Sequence, residues 1–523
     1  MSRRLKAAFF NDFTGGLNFA SQPQSLSKTE TPLCMNVDFD NRGGFRLRRG
    51  FQRTHASTEL GDTEILGRVT YSGTDQVIGV SSVSNKLWRW DGSTFTLDAT
   101  VLTDVSGKAN RPRMANWSAK TYFAHCFSAG NLVMRTWTGA AYAVLSNVAN
   151  NNYSAPTGGN APLARHIANH SGHMFWADTT EAGTRYRNRV RWSHPLQPED
   201  WATADYFDID PDDESNPITA IVPFRNMLLV FKRQGIWAIY GSNRDEFVVE
   251  RLSTVAGVVE PRQITASATT LYWWSPDGEV YQFDGSQIVP IGGRISTISS
   301  KLKFVNPNRH DHVVCWAENR LYVSLHTVTG THRLFVFDPM VGREGAWTEY
   351  DVQVSTMFWW RRTTGASIIH FGTSALNGLY NWSNESQQQD NDGSGDVPIV
   401  GFYRTAWFSA SNTALLKRWR RPYVTAATGD PCSLLMKVYY DFDESTVRRT
   451  LTMVLDGTTG STLWGGSTWG GGSWSSGEEI YGFERLQSGG RSRAIAFEFR
   501  VTNHLTRWQV DSYTLPFYEK GIK

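Results

Sequence analysis

The 523-residue sequence predicts an all-β protein: a β-propeller of six or seven blades, preceded by an extended N-terminal arm and followed by a C-terminal β-sandwich. Three observations carry that expectation. Apolar stretches with a 3.6-residue period are almost absent. Short runs of β-branched and aromatic residues, such as Gln76-Val-Ile-Gly-Val80 and Met227-Leu-Leu-Val-Phe231, are instead punctuated by Gly, Asp and Asn. Composition agrees, with 28 Phe, 21 Trp and 19 Tyr beside 46 Gly.

The third observation is a loose repeat. A strand ending in an aromatic residue runs into a polar-Gly turn and a further strand, as in Leu87-Trp-Arg-Trp-Asp-Gly-Ser-Thr-Phe95 and Val280-Tyr-Gln-Phe-Asp-Gly285. The turn glycines Gly92, Gly139, Gly241 and Gly285 are 47, 102 and 44 positions apart, and the middle gap is close to twice the others. About 40–50 residues is what one four-stranded blade consumes. Such blades bury their faces only against neighbours, so the ring must close to hide its edges.

Residues 1–55 read as the arm, hinged at Gly15-Gly16 and Gly43-Gly44. Residues 56–390 read as the propeller, ending at the polar stretch Asn384 to Gly395. Residues 391–523 hold five or more alternating segments and read as the sandwich.

Several function classes are excluded or disfavoured. A net charge of +3, from 52 Lys+Arg against 49 Asp+Glu, argues against a dedicated nucleic-acid binder. No apolar run approaches the length of a membrane helix, and no apolar segment follows the basic Met1 to Lys6. Cys34, Cys126, Cys315 and Cys432 form no CxxC pair, so zinc ribbons are excluded and assembly in a reducing cytoplasm is expected. P-loop, HExxH and GxSxG motifs are missing, and Ser275-Pro-Asp-Gly-Glu and Glu344-Gly-Ala-Trp-Thr match only fragments of a sialidase Asp box. No catalytic residue, metal ligand or cofactor site is assigned, and the chain is not expected to be an enzyme.

Three groups remain as candidate contact sites. Arg3, Arg4, Arg46, Arg48 and Arg49 make the arm basic and suit a grip on a neighbouring acidic surface. Asp208, Asp210, Asp212 and Asp213 begin like a calcium loop, but position six is Asp213 instead of Gly and position twelve is Thr219 instead of Glu. They read as a solvated acidic loop suited to docking a basic partner. Trp464, Trp469 and Trp474 recur every five residues in a Gly/Ser background and need a surface to pack on, their own sandwich or a neighbouring subunit. His166, His170 and His173 have metal-like spacing, yet the turn at Asn169-His170-Ser171-Gly172 scatters them over a hairpin.

The opening segments Phe13-Thr-Gly-Gly-Leu-Asn18, Glu30-Thr-Pro-Leu-Cys-Met-Asn36-Val-Asp38 and Gly43-Gly-Phe-Arg-Leu-Arg-Arg-Gly-Phe51 resemble those of phage tail proteins. The nozzle, or tail tubular protein B, family of short-tailed bacteriophages is the nearest resemblance. Val190-Arg-Trp-Ser193 through Trp201, Ile218 through Gly241 and Ser275 through Gly285 are similar to that family's recurring strand and turn pattern. The resemblance implies a virion protein, assembled in the host cytoplasm as a homohexameric ring below the portal and adaptor. Such a ring guides DNA out of the capsid without sequence readout and carries fibres or spikes. The alternatives are a tail-hub or minor tail protein that binds a receptor or polysaccharide, and a propeller-type carbohydrate-active enzyme.

Overall fold

The computed structural model describes residues 5–55, 60, 63–71, 73–102, 111–118, 120–139, 142–145, 162–202, 204–299, 309–327, 332–362, 367–373, 378–382, 389–410, 412–428, 431–455, 479–482, 490–501 and 507–519. Seven antiparallel blades follow one another along the chain. Blade 1 comprises Glu64–Tyr71, Thr74–Val80, Lys86–Trp90 and Phe95–Val101. Blade 2 comprises Arg113–Trp117, Lys120–Ser128, Asn131–Trp137 and Tyr142–Val144, and blade 3 Leu163–His170, His173–Glu181, Thr184–Trp192 and Tyr206–Asp208. Blade 4 is built from Ile218–Phe224, Met227–Lys232, Ile236–Tyr240 and Val248–Ser253, and blade 5 from Ile264–Ala266, Leu271–Trp274, Val280–Phe283 and Ile288–Pro290. Blade 6 is Val313–Ala317, Arg320–His326, His332–Asp338 and Ala346–Tyr350.

The first strand of each blade lies innermost and packs against the first strand of a neighbouring blade. Between the blades the aromatic side chains fill the wedges. Trp176 and Trp201 meet edge to face between blades 2 and 3, and Phe231 meets Trp273 between blades 4 and 5. Gly92, Gly139, Gly241 and Gly285 occupy the same turn, between the third and fourth strands, in blades 1, 2, 4 and 5. Each has a positive φ, from 91° to 110°. The spacing seen in the sequence is therefore the blade period, with blade 3 inside the long gap. At Gly139 an added Cβ would overlap the ring of Tyr71, so the turn is pressed against blade 1.

Blade 7 closes the ring. Its first three strands are Thr356–Trp360, Ile368–Gly372 and Leu379–Asn381, and its fourth is Gln52–His55 from before blade 1. Trp360 and Leu379 of blade 7 share a buried cluster with Ile65, Val77, Trp88 and Trp90 of blade 1. Joining the last blade with a strand from the beginning of the chain makes opening the ring cost both a ladder and a core.

The sandwich has two sheets. One is ordered Leu33–Met35, Gly401–Arg404, Ile495–Val501, Cys432–Tyr440, Arg449–Leu455. The other is organised by Trp508–Glu519, which pairs with Lys6–Phe10 and Phe45–Leu47 of the arm and with Lys417–Trp419 and Tyr423–Thr428. Along that strand Tyr513, Leu515 and Phe517 point inward while Thr514, Pro516 and Tyr518 are half-exposed, the period-two pattern of a sheet with one wet face.

The arm departs from its expected course. Instead of reaching toward a neighbour, residues 5–47 supply strands to the sandwich of their own chain, and 52–55 complete the propeller. The units expected at 1–55 and 391–523 are thus interwoven. The reason is physical: Phe10, Phe13, Phe39, Phe45 and Leu47 are buried, the last three in alternation with polar residues, and an extended arm would have left them in water.

Candidate functional site

Two charged clusters stand out, one at the mouth of the propeller tunnel and one where the arm crosses from sandwich to propeller. The innermost strands all run the same way, so the residues that precede them gather at one mouth. Glu64 opens blade 1, Arg111 and Arg113 open blade 2, Glu260 and Arg262 precede blade 5, Asp311 precedes blade 6, and Ser355 precedes blade 7.

These groups pair across the ring. Arg262 lies 2.8 Å from Glu64 and also donates to the carbonyl of Ser355. Arg111 bonds Glu64 and stands 3.7 Å from Asp311, while Arg113 bonds Glu260, which also meets His310 at 2.9 Å. Blades 1 and 5, 2 and 5, and 2 and 6 are not neighbours in a seven-membered ring, so the pairs bolt the mouth shut. All six charged side chains are nearly buried, and removing one partner would leave a desolvated charge.

Imidazoles flank this plug. Burial, then the nearby Arg113, pushes His125 down to about 3. The same two causes hold His166 well below its ordinary range. His125 sits at a positive φ of 57° where the register of its strand shifts, a bulge that turns the ring toward the Arg111 carbonyl at 3.0 Å. Asp178 has the same device in blade 3, with φ 53°, and holds Arg165 and Arg185. A cavity of about 370 Å³ adjoins the plug, lined by Glu64, Arg113 and Arg262 of the plug together with Ile65, Met114 and Ile167. The arrangement is an electrostatic closure beside a cavity of mixed polarity. Among the described residues of this closure, each of the carboxylates Glu64, Glu260 and Asp311 faces an arginine.

The second cluster centres on Arg48, whose side chain is fully buried. Its Nε donates to Asn36 Oδ1 at 2.8 Å, and its two terminal nitrogens grip Asp390 at 2.8 and 2.6 Å; Asp351 is 3.3 Å away. Burial pulls the guanidinium pKa down, but the Asp390 charge outweighs it and the net direction is up. Asn36, at φ 57°, also donates to the Val400 carbonyl and receives the Asp351 N–H. Nearby, Asp38 accepts from the Tyr350 hydroxyl and pairs with Arg320 at 3.0 Å. Burial would raise the Asp38 pKa, yet Arg320 and Tyr350 together hold it below the ordinary carboxylate range. Arm, blade 6 and the segment leading into the sandwich meet here.

The predicted contact residues fall as follows. Arg48 and Arg49 do not face a neighbour: the first is consumed in this junction and the second bonds Glu318 of blade 6. Arg46 is exposed on the strand Phe45–Leu47. Arg3, Arg4, Trp464, Trp469 and Trp474 lie outside the described residues. The acidic residues do not converge on one point. Asp208 makes a two-pronged pair with Arg189 at 2.8 and 2.9 Å, and Asp210 is 3.9 Å from Lys232. Asp213 accepts from Ser215, and Asp212 is exposed. His166 lines the tunnel, His170 meets Ser171, and His173 Nδ1 is 2.6 Å from the Ser193 carbonyl. Among the described residues no group of three His, Cys, Asp or Glu could hold a metal ion.

Sequence reading missed the tunnel closure. Arg111, Arg113, Glu260, Arg262 and Asp311 are spread over 200 positions, and nothing local marks them as partners. The one available signal was position: each falls at or just before the start of a first strand.

No protein-family model matches the chain, and no curated protein matches it. Solved structures that do resemble it include BBS1N in complex with ARL6DN, at 9% identity over 65% of this chain and 99% of that one, with a TM-score of 0.39. The Pan2 WD40 domain of Neurospora crassa gives 9% identity, 65% and 97% coverage and a TM-score of 0.38. The computationally designed Ika8 protein gives 10%, 64% and 100%, and 0.35. Sheet order and the closing cluster between blades 7 and 1 establish the ring independently of these likenesses.

Proposed function

We propose that the chain is a structural component of a bacteriophage tail, the nozzle that extends the tail channel below portal and adaptor, acting by assembly and not by chemistry. One observation carries the reading. The N-terminal residues that carry the first part of the resemblance to tail nozzles are among those that fasten arm, propeller and sandwich together. Phe13 packs on Phe45 and Tyr403, Gly16 lies against the backbone of Trp347, and Asn36, Asp38 and Arg48 build the buried junction. A body tied this way transmits load between its parts without hinging, which suits a mechanical role in a ring of copies. With its mouth bolted, the propeller tunnel is not a conduit, so genomic DNA would pass between copies and the propellers would serve as platforms for fibres or spikes.

The test is made on particles produced by the genome that encodes the chain. Mass spectrometry should find it in purified virions, and labelled antibody should mark the distal tail. Particles that lack the chain while the infected cell contains it would overturn the proposal. Marking of a side fibre or the head would move it to another virion role, and label at a central hub beside a tape-measure protein would favour the tail-hub alternative.

A further inference from the structure

On the outer face of the sheet organised by Trp508–Glu519, strand register sets Arg491, Arg418 and Tyr518 side by side in one row. A second row sets Phe9, Thr514 and Tyr423 side by side. Arg420 stacks over Tyr518 at 5.0 Å, and Arg421 lies 6.0 Å from Tyr423. Phe9 is 61% exposed and Tyr423 47%.

Two features need an explanation. Arg418, Arg420 and Arg491 join no ion pair among the described residues, and Glu519, the carboxylate beside them, is occupied by Lys6 at 2.5 Å. Two large aromatic rings face water about 10 Å apart, two strand spacings across the sheet. At the tunnel mouth and at Arg48, by contrast, each arginine faces a carboxylate.

We propose that this face binds a nucleic-acid strand through its phosphate backbone. Unmatched guanidinium groups neutralise phosphates without reading sequence, and exposed rings on a flat sheet offer stacking surface to bases. An acidic protein surface would also satisfy the arginines, and binding of an acidic peptide in place of nucleic acid separates the two. The inference names a partner contact within the tail reading but does not require it: a chain that binds DNA and is absent from particles would keep one and lose the other.

The test uses the full chain and fluorescence anisotropy with a labelled 20-mer of thymidylate and a labelled 20-base-pair duplex. Three neutralised phosphates give a slope of log K against log salt of about −3 for duplex and about −2 for single strand. Raising salt from about 50 to about 200 mM should then weaken binding about 40-fold or about 20-fold. Combined Arg418→Glu, Arg420→Glu and Arg491→Glu should abolish binding, whereas Arg343→Glu on the exposed propeller surface should not change it. Melting curves confirm that each variant is folded. Combined Phe9→Ala and Tyr423→Ala should cost the thymidylate about tenfold or more and the duplex little if single strands are the natural ligand. An equal, small effect on both identifies the duplex backbone. Absence of saturable binding at low salt, undiminished binding by the triple-glutamate variant, or equally tight binding of a 20-residue polyglutamate would overturn the proposal.

Discussion

Arg48 is the residue on which the junction turns. Its guanidinium is fully buried and reaches two carboxylates and an amide directly, so the pair's value lies less in net attraction than in the penalty for breaking it. Arg48→Met should therefore cost about 3–5 kcal/mol, read as a shift in the urea midpoint, because the mostly buried Asp390 is left facing an apolar side chain. A cost below about 1 kcal/mol would show that the junction is wet. The buried imidazoles make a different demand. His125 and His370 are each pushed from 6.5 down to about 3, mainly by burial, so the folded state refuses protons that the unfolded chain accepts. Stability from these groups is complete above about pH 6.5 and falls as pH drops toward 3. Each histidine removes about 1.4 kcal/mol per pH unit within that window. Urea titrations at pH 7 and pH 5 should differ accordingly, and His370→Gln should reduce the difference.

At the scale of elements, the strand Gln52–His55 does most with least. Four residues complete blade 7, and Asn381 donates to Thr54 across the new ladder. Replacing the four with Gly-Ser-Gly-Ser removes β-propensity and side-chain bonds while keeping the chain continuous. Amide exchange should then quicken in Leu379–Asn381 and in Glu64–Tyr71, on the two sides of the closure, and stay slow in Ile236–Tyr240 of blade 4. Uniform quickening would mean that the ring opens as a whole. Most of these elements were legible beforehand. The runs at Met227, Leu271 and Leu321 are strands because short continuous apolar and aromatic runs lie between two turn signals, a rule that needs no tertiary partner. The strands at Leu33–Met35 and Gln52–His55 were not legible, since three or four residues carry no period.

For the whole molecule, one buried cluster runs from Trp274 and Phe335, between blades 5 and 6, through Trp347 to Phe45 and Tyr513 in the sandwich. Propeller and sandwich therefore share a core instead of a linker. Calorimetry should show a single cooperative transition, and limited proteolysis should fail to release a stable sandwich fragment. Two resolved transitions would separate the units. The same continuity explains how the arm misled a linear reading. Basic residues at Arg46, Arg48 and Arg49 look like a surface grip when counted along the chain. Only the crossing of arm, blade 6 and Asp390 shows that two of the three are internal.

What the sequence determined alone was local: strand-forming runs, the turn glycines, their period of about 45 residues, and hence a ring of blades followed by a second sheet unit. What the tertiary structure decided was every pairing between distant segments, namely the strand that closes blade 7, the arm woven into the sandwich, the ion pairs across the tunnel and the arginine-rich outer face. Side-chain period and turn chemistry act over a few residues and can be read in line. Charge pairing and edge closure depend on which segments the fold brings within a few ångströms, and chain order does not record that.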